Sequence, residues 1–83
     1  MFKWLNKQGV EGEGKFYLQR TDRFHYEYGE GEVRIKISVD PSSKGEEVYL
    51  GDALSFDSPD HRRRIAGNVS AALGFMGVRF QLR

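Results

Sequence analysis

The most regular stretch of the chain is Val33, Ile35, Ile37 and Val39, alternating with Arg34, Lys36 and Ser38. A period of two places the apolar side chains on one face and the polar ones on the other, predicting a strand with one buried and one wet face. Upstream, Lys15 to Tyr28 is split by the polar Thr21-Asp22-Arg23. It reads as two strands, about 15–20 and 24–28, joined by a short turn. Phe24, Tyr26 and Tyr28 share one parity and are expected in the core, with His25 on the opposite face. Gly12-Glu13-Gly14 and Gly29-Glu30-Gly31 predict turns, because glycine tolerates the positive φ that tight hairpins need. Asp40 to Gly45 predicts a loop. Glu47 to Leu50 and Ala53 to Phe56, interrupted by Gly51-Asp52, read as either a broken strand or a hairpin.

The period changes after Ser58. This serine suits an N-cap, Pro59 the first helical position and Asp60 a carboxylate in the first turn. Ile65, Val69, Ala72, Leu73 and Met76 recur at helical spacing as an apolar stripe, and Gly74 and Gly77 offer two stops. Val78, Phe80 and Leu82 alternate with Arg79, Gln81 and Arg83 as a final strand. The order meander, helix, strand predicts an α+β fold, an antiparallel sheet with one C-terminal helix packed on a face. In the first dozen residues, Phe2, Trp4 and Val10 fit either an edge strand or a helical turn against the core.

Length makes this one domain, residues 1–83, which buries only a little over ~60% of the surface its unfolded form exposes. Nearly all apolar residues are then needed for one core, leaving little for a deep pocket. The hydrophobic fraction of 39% and charged fraction of 30% argue against disorder, and an aromatic content of 13% must supply much of the buried area. The absence of cysteine points to a reducing compartment. Residues 1–7 hold no apolar signal region, and no run approaches the ~20 apolar residues of a membrane span. The expectation is a cytoplasmic protein with no membrane partner. Net charge is +1, but residues 1–56 sum to −2 and residues 57–83 to +3, with the positive charge gathered in His61-Arg62-Arg63-Arg64.

Candidate chemistry is sparse. His25 and His61 are far apart and have no cysteine companions, so no metal is expected. No serine has a nucleophile-elbow context, and the glycine triplets lack the spacing of a phosphate cradle. Glu11, Glu13, Glu30, Glu32, Glu46 and Glu47 fall in or beside expected turns, where solvated charge is the ordinary state. The reading is a non-enzyme without cofactor.

Two features of the helix are not explained by stability. Arg62, Arg63 and Arg64 lie in or just after its first turn, where the dipole disfavours positive charge by a few tenths of a kcal/mol each. Asp57 and Asp60 neutralise them in part; alternatively the site binds something anionic. Gly67, Ser70, Ala71 and Gly74 form a smooth, nearly chargeless outer face. Either the chain's own N-terminal segment covers it, or it meets another chain, including a homodimer through Gly67, Ala71 and Gly74. The aromatic strand Phe24 to Tyr28 also allows base stacking, as in RNA-binding sheets.

From Ser55 onward the chain resembles a family of very small bacterial immunity proteins of polymorphic toxin systems. The matching residues are Phe56-Asp57-Ser58-Pro59, Ile65, Asn68-Val69 and Ala72-Leu73-Gly74-Phe75-Met76-Gly77-Val78. Phe16-Tyr17-Leu18 and Phe24 to Gly31 are similar in layout. The chain departs from the family where a longer acidic, proline-containing insertion would precede the helix. The resemblance implies an α+β protein that neutralises a cognate toxin domain by direct binding, without catalysis. On that reading a polar sheet face and the helix start make the contact. His61, Arg62, Arg63 and Arg64 would supply complementary charge, and Glu27, Glu30 and Glu32 would mimic phosphates if the toxin is a nuclease. The alternative is a small nucleic-acid-binding or regulatory domain using the same arginines.

Overall fold

The computed structural model describes residues 2–12, 15–53 and 58–83. Six strands follow one another as an antiparallel meander: β1 (Lys3–Asn6), β2 (Gly9–Gly12), β3 (Phe16–Asp22), β4 (His25–Glu30), β5 (Val33–Ser42) and β6 (Gly45–Tyr49). A single helical turn, α1 (Leu50–Ala53), and a helix of 17 residues, α2 (Pro59–Phe75), lead to β7 (Phe80–Leu82). All seven strands form one open sheet in chain order, with α2 packed on one face. The α+β architecture is the predicted one. β7 alone pairs parallel, with β6, because α2 carries the chain back across the sheet first.

Cross-strand register builds the face beneath α2. Val10, Leu18, Tyr28 and Ile35 form one row, Arg20, Tyr26 and Ile37 a second, and Val39, Val48 and Leu82 a third. Ile65, Val69, Ala72 and Leu73 of α2 lie on these rows with no exposed surface. Each large side chain buried there contributes ~1.5–3 kcal/mol, so truncating Leu73 alone would remove much of a small domain's stability. Ser58 caps α2 as predicted, its Oγ accepting from the His61 N–H at 3.3 Å. At the other end Val78 N–H bonds Leu73 O at 3.0 Å and Gly77 N–H bonds Gly74 O at 3.1 Å, with Gly77 at φ 75°. That double closure is a Schellman motif, so Gly77 rather than Gly74 stops the helix.

Several local expectations change. The β3–β4 register shifts between Arg20 and Asp22, which moves the turn to residues 23–24 and takes Phe24 out of the core parity. Phe24 is 52% exposed, with the Arg23 guanidinium over its ring. Val33 is 41% exposed at the start of β5, not buried as its parity implied. The expected loop at 40–45 shrinks to Ser43-Lys44, because β5 runs on to Ser42. Pro41 fits there: Val39 N–H bonds Phe24 O, so the alternate position 41 faces past the end of β4, where no donor is needed. Gly29 lies inside β4, and Glu11, Glu30, Glu46 and Glu47 lie within strands, Glu46 and Glu47 just beyond the Ser43-Lys44 turn. Leu50 and Ala53 are helical, not extended, and Gly51-Asp52 belongs to the same helical turn. The rest of the expected Ala53–Phe56 strand, Asp57 and the turn at Glu13-Gly14 lie outside the described residues. Of the two readings of the N-terminus, the edge strand is the one found. No described helix is long and apolar enough to cross a membrane.

Candidate interaction surface

The face of the sheet opposite α2 is covered by no described element. Strand parity delivers to it Glu11, Tyr17, Gln19, His25, Glu27, Arg34, Lys36, Ser38, Asp40, Glu47 and Tyr49, none of them buried. Its centre is an ordered cluster. The Tyr17 hydroxyl donates to Glu27 Oε1 at 2.5 Å, and Gln19 Nε2 donates to the same oxygen at 3.4 Å. Gly29 stands beside Tyr17 in register, and a Cβ at Gly29 would collide with the Tyr17 ring. The missing side chain thus lets the ring lie flat on the strand. Arg34, the next residue in that row, places its guanidinium 5.4 Å from the ring centroid. Its Nη1 is held by the carbonyls of Gly31 and Val33 at 2.8 and 2.9 Å.

Further along the face Tyr49 donates to Glu47 Oε2 at 3.0 Å, and Arg83 Nη2 donates to Glu47 Oε1 at 2.8 Å. The Arg83 hydrogen bond holds the Glu47 carboxyl below its ordinary range, and the bond to Glu47 raises the Tyr49 phenol. Desolvation, then the bond to Glu27, raises Tyr17. Both phenols therefore stay protonated at neutral pH. They offer rigid aromatic area and oriented hydrogen bonds, with no activated nucleophile. Each also carries a carboxylate on its hydroxyl.

On the α2 side a second polar chain ties helix to sheet. Asn68 Nδ2 donates to the Tyr28 hydroxyl at 3.0 Å, that hydroxyl donates to Glu30 Oε1 at 2.7 Å, and Arg64 pairs with Glu30 Oε2 at 2.5 Å. At the far end of that face Arg20 pairs with Glu46 at 2.5 Å, and the Tyr26 hydroxyl donates to Glu46 Oε2 at 3.1 Å. Burial first, then the Glu46 carboxylate, raises the Tyr26 phenol to about 12. Burial likewise raises Tyr28 to about 12.

The sequence-predicted site residues thus separate. Glu27 is on the open face, Glu30 and Arg64 are joined to each other across the α2 interface, and Glu32 is exposed in the β4–β5 turn. The three glutamates do not line up as one row of phosphate mimics. Arg62 and Arg63 are exposed on the first turns of α2 and His61 is half-buried, its backbone N–H on the Ser58 cap. The described N-terminal residues do not pack closely on the smooth helix face: a Cβ at Gly67 or Gly74 would meet nothing within 4 Å. Phe2 and Trp4 instead meet Phe75 at the end of α2, with ring centroids 5.5 and 5.7 Å away. Among the described residues no three of His, Cys, Asp and Glu gather as a metal shell. Tyr17, Arg34 and Tyr49 are not among the candidates the sequence offers, because only strand register places them on one face. Comparison with protein-family models, curated proteins and solved structures gives no match.

Proposed function

We propose that this chain is a non-catalytic protein-binding module of the immunity type, which neutralises a toxin domain by covering it with its open sheet face. What supports the reading is one observation: an uncovered face that holds Tyr17, Glu27 and Arg34 in fixed positions through hydrogen bonds and stacking. Tyrosine and arginine dominate binding energy at protein interfaces because they bring large contact area with few rotors and directed donors. Side chains already ordered before contact lose less entropy on association. The mixed charge of the face, with Glu11, Glu27, Asp40 and Glu47 beside Arg34 and Lys36, suits a matched protein surface better than a phosphate backbone.

The partner to test is the variable C-terminal domain of a large toxin encoded beside this chain. Co-purification and survival of cells expressing that domain should both depend on the wild-type protein. The double variant Tyr17→Ala/Arg34→Glu should weaken binding at least about tenfold, and Arg62→Glu/Arg63→Glu should chiefly slow association. Undiminished binding by the first variant removes the open face from the reading. Lack of any toxin-like neighbour, together with salt-sensitive binding to random RNA or DNA, would replace it with the nucleic-acid alternative.

A further inference from the structure

β7 is an edge of the sheet, and its backbone points half of its polar groups away from β6. Arg79 O accepts from Glu46 N–H, Arg83 N–H donates to Val48 O and Arg83 O accepts from Gly51 N–H, each at 2.8 Å. Because strand residues alternate in direction, positions 79, 81 and 83 face β6, and Phe80 and Leu82 turn their N–H and C=O groups outward. The parallel register with β6 uses none of those four groups. Beside the edge, on the α2 side, Leu50, Gly51, Ala66 and Leu82 floor a shallow groove of about 190 Å³, with Arg62 and Arg83 on its rim. Arg79 stands at the other end of the strand. Arg62 and Arg79 are exposed and take part in no ion pair among the described residues, whereas Arg83 is held by Glu47.

We propose that the outer edge of β7 docks an extended acidic segment of a partner protein, added as an eighth strand. Its backbone meets the outward groups of Phe80 and Leu82, one apolar side chain fills the groove, and Asp or Glu residues on either side meet Arg62 and Arg79. A second copy of this chain does not suit the site, because antiparallel pairing of β7 with itself sets Arg79 opposite the partner's Arg83. The other sheet edge is less suited to an added strand. β1 carries an irregularity between Trp4 and Asn6, begins on Lys3 and is followed by Lys7, features that blunt edges. This site borders the open face at Arg83, which Glu47 holds, but Tyr17→Ala/Arg34→Glu leaves β7 untouched, so either reading can fail without the other.

The test uses the full chain, isotope-labelled for NMR, and a short blocked peptide of alternating Glu and Val. Shifts and slowed hydrogen exchange should centre on the Phe80 and Leu82 amides, and affinity should fall with added salt. Arg62→Glu/Arg79→Glu should weaken the peptide about tenfold or more, and Arg62→Gln/Arg79→Gln less, while both keep the native spectrum. Equal binding by the same peptide with Lys in place of Glu would overturn the proposal. So would shifts that map to β1 or to the open face, or no shift at β7.

Discussion

The Tyr28 hydroxyl accepts from Asn68 at 3.0 Å and donates to Glu30 at 2.7 Å, while Arg64 closes on the same glutamate. Residues four apart on α2 thus hold residues two apart on β4. Apolar packing alone would let the helix slide or rotate by small amounts; this chain of directed bonds fixes its position. It also accounts for one arginine of the basic helix start without invoking any partner.

Breaking that chain has graded consequences. Tyr28→Phe strands the Asn68 donor, and Asn68→Ala leaves the hydroxyl with one partner, so each should lower stability by about 1–2 kcal/mol in urea unfolding. Their double variant should show a coupling of at least about 0.5 kcal/mol. Arg64→Ala, at the exposed end of the chain, should cost under about 1 kcal/mol. Additive effects at Tyr28 and Asn68 would contradict the geometry.

Gly29→Ala should destabilise by about 1–3 kcal/mol, because its Cβ displaces the Tyr17 ring. The collision is with a side chain, so Tyr17→Ala should remove most of the penalty when the two changes are combined. If Gly29→Ala costs the same with and without Tyr17, the loss comes from the backbone and the stacking account fails.

The two buried phenols make stability fall on the alkaline side. Both have folded pKa values raised to about 12 from an unfolded value of 10. The neutral form is favoured in the folded protein, so this contribution is fully present below pH 10 and is lost as pH rises from 10 through 12. Each phenol should account for at most about 2.7 kcal/mol across that window. Thermal melting from pH 9 to 12 should show the decline, and Tyr26→Phe/Tyr28→Phe should flatten it. A profile equally steep in that variant would assign the loss to other groups.

Glycines of α2 and its cap should behave oppositely. Gly67 has open space at its Cβ inside the helix, so Gly67→Ala should raise stability by up to about 1 kcal/mol. Gly74→Ala should gain less, being near the helix end. Gly77 has the same open space but sits at φ 75°, so Gly77→Ala should cost about 1 kcal/mol. Melting temperatures of the three variants settle the order.

How far the chain could be read from its sequence depended on how local each determinant was. The alternation of β5, the Ser58-Pro59 start and the apolar stripe of α2 act within a few residues and were legible. Phe24 was misplaced because the slip between Arg20 and Asp22 is a property of two paired strands, invisible in either alone. Pro41 was assigned to a loop because its harmlessness depends on where β4 ends. Gly29 reads as a turn residue in the sequence, since only register reveals Tyr17 beside it. For the same reason Arg64 and Glu30, 34 residues apart, were both read as surface charges awaiting a partner, when they are in contact with each other.

The strand order carries a kinetic consequence. Every antiparallel pairing joins neighbours in sequence, so β1 to β6 can zip up through short loops whose closure costs little entropy. Only the β6–β7 pairing spans a long excursion, through α2. Assembly should therefore proceed from the hairpins outward, with the last strand docking after the helix has found the sheet. In pulse-labelled exchange during refolding, amides of β3 to β5 should be protected before those of Gln81 and Arg83. The opposite order would mean that α2 and β7 nucleate the fold.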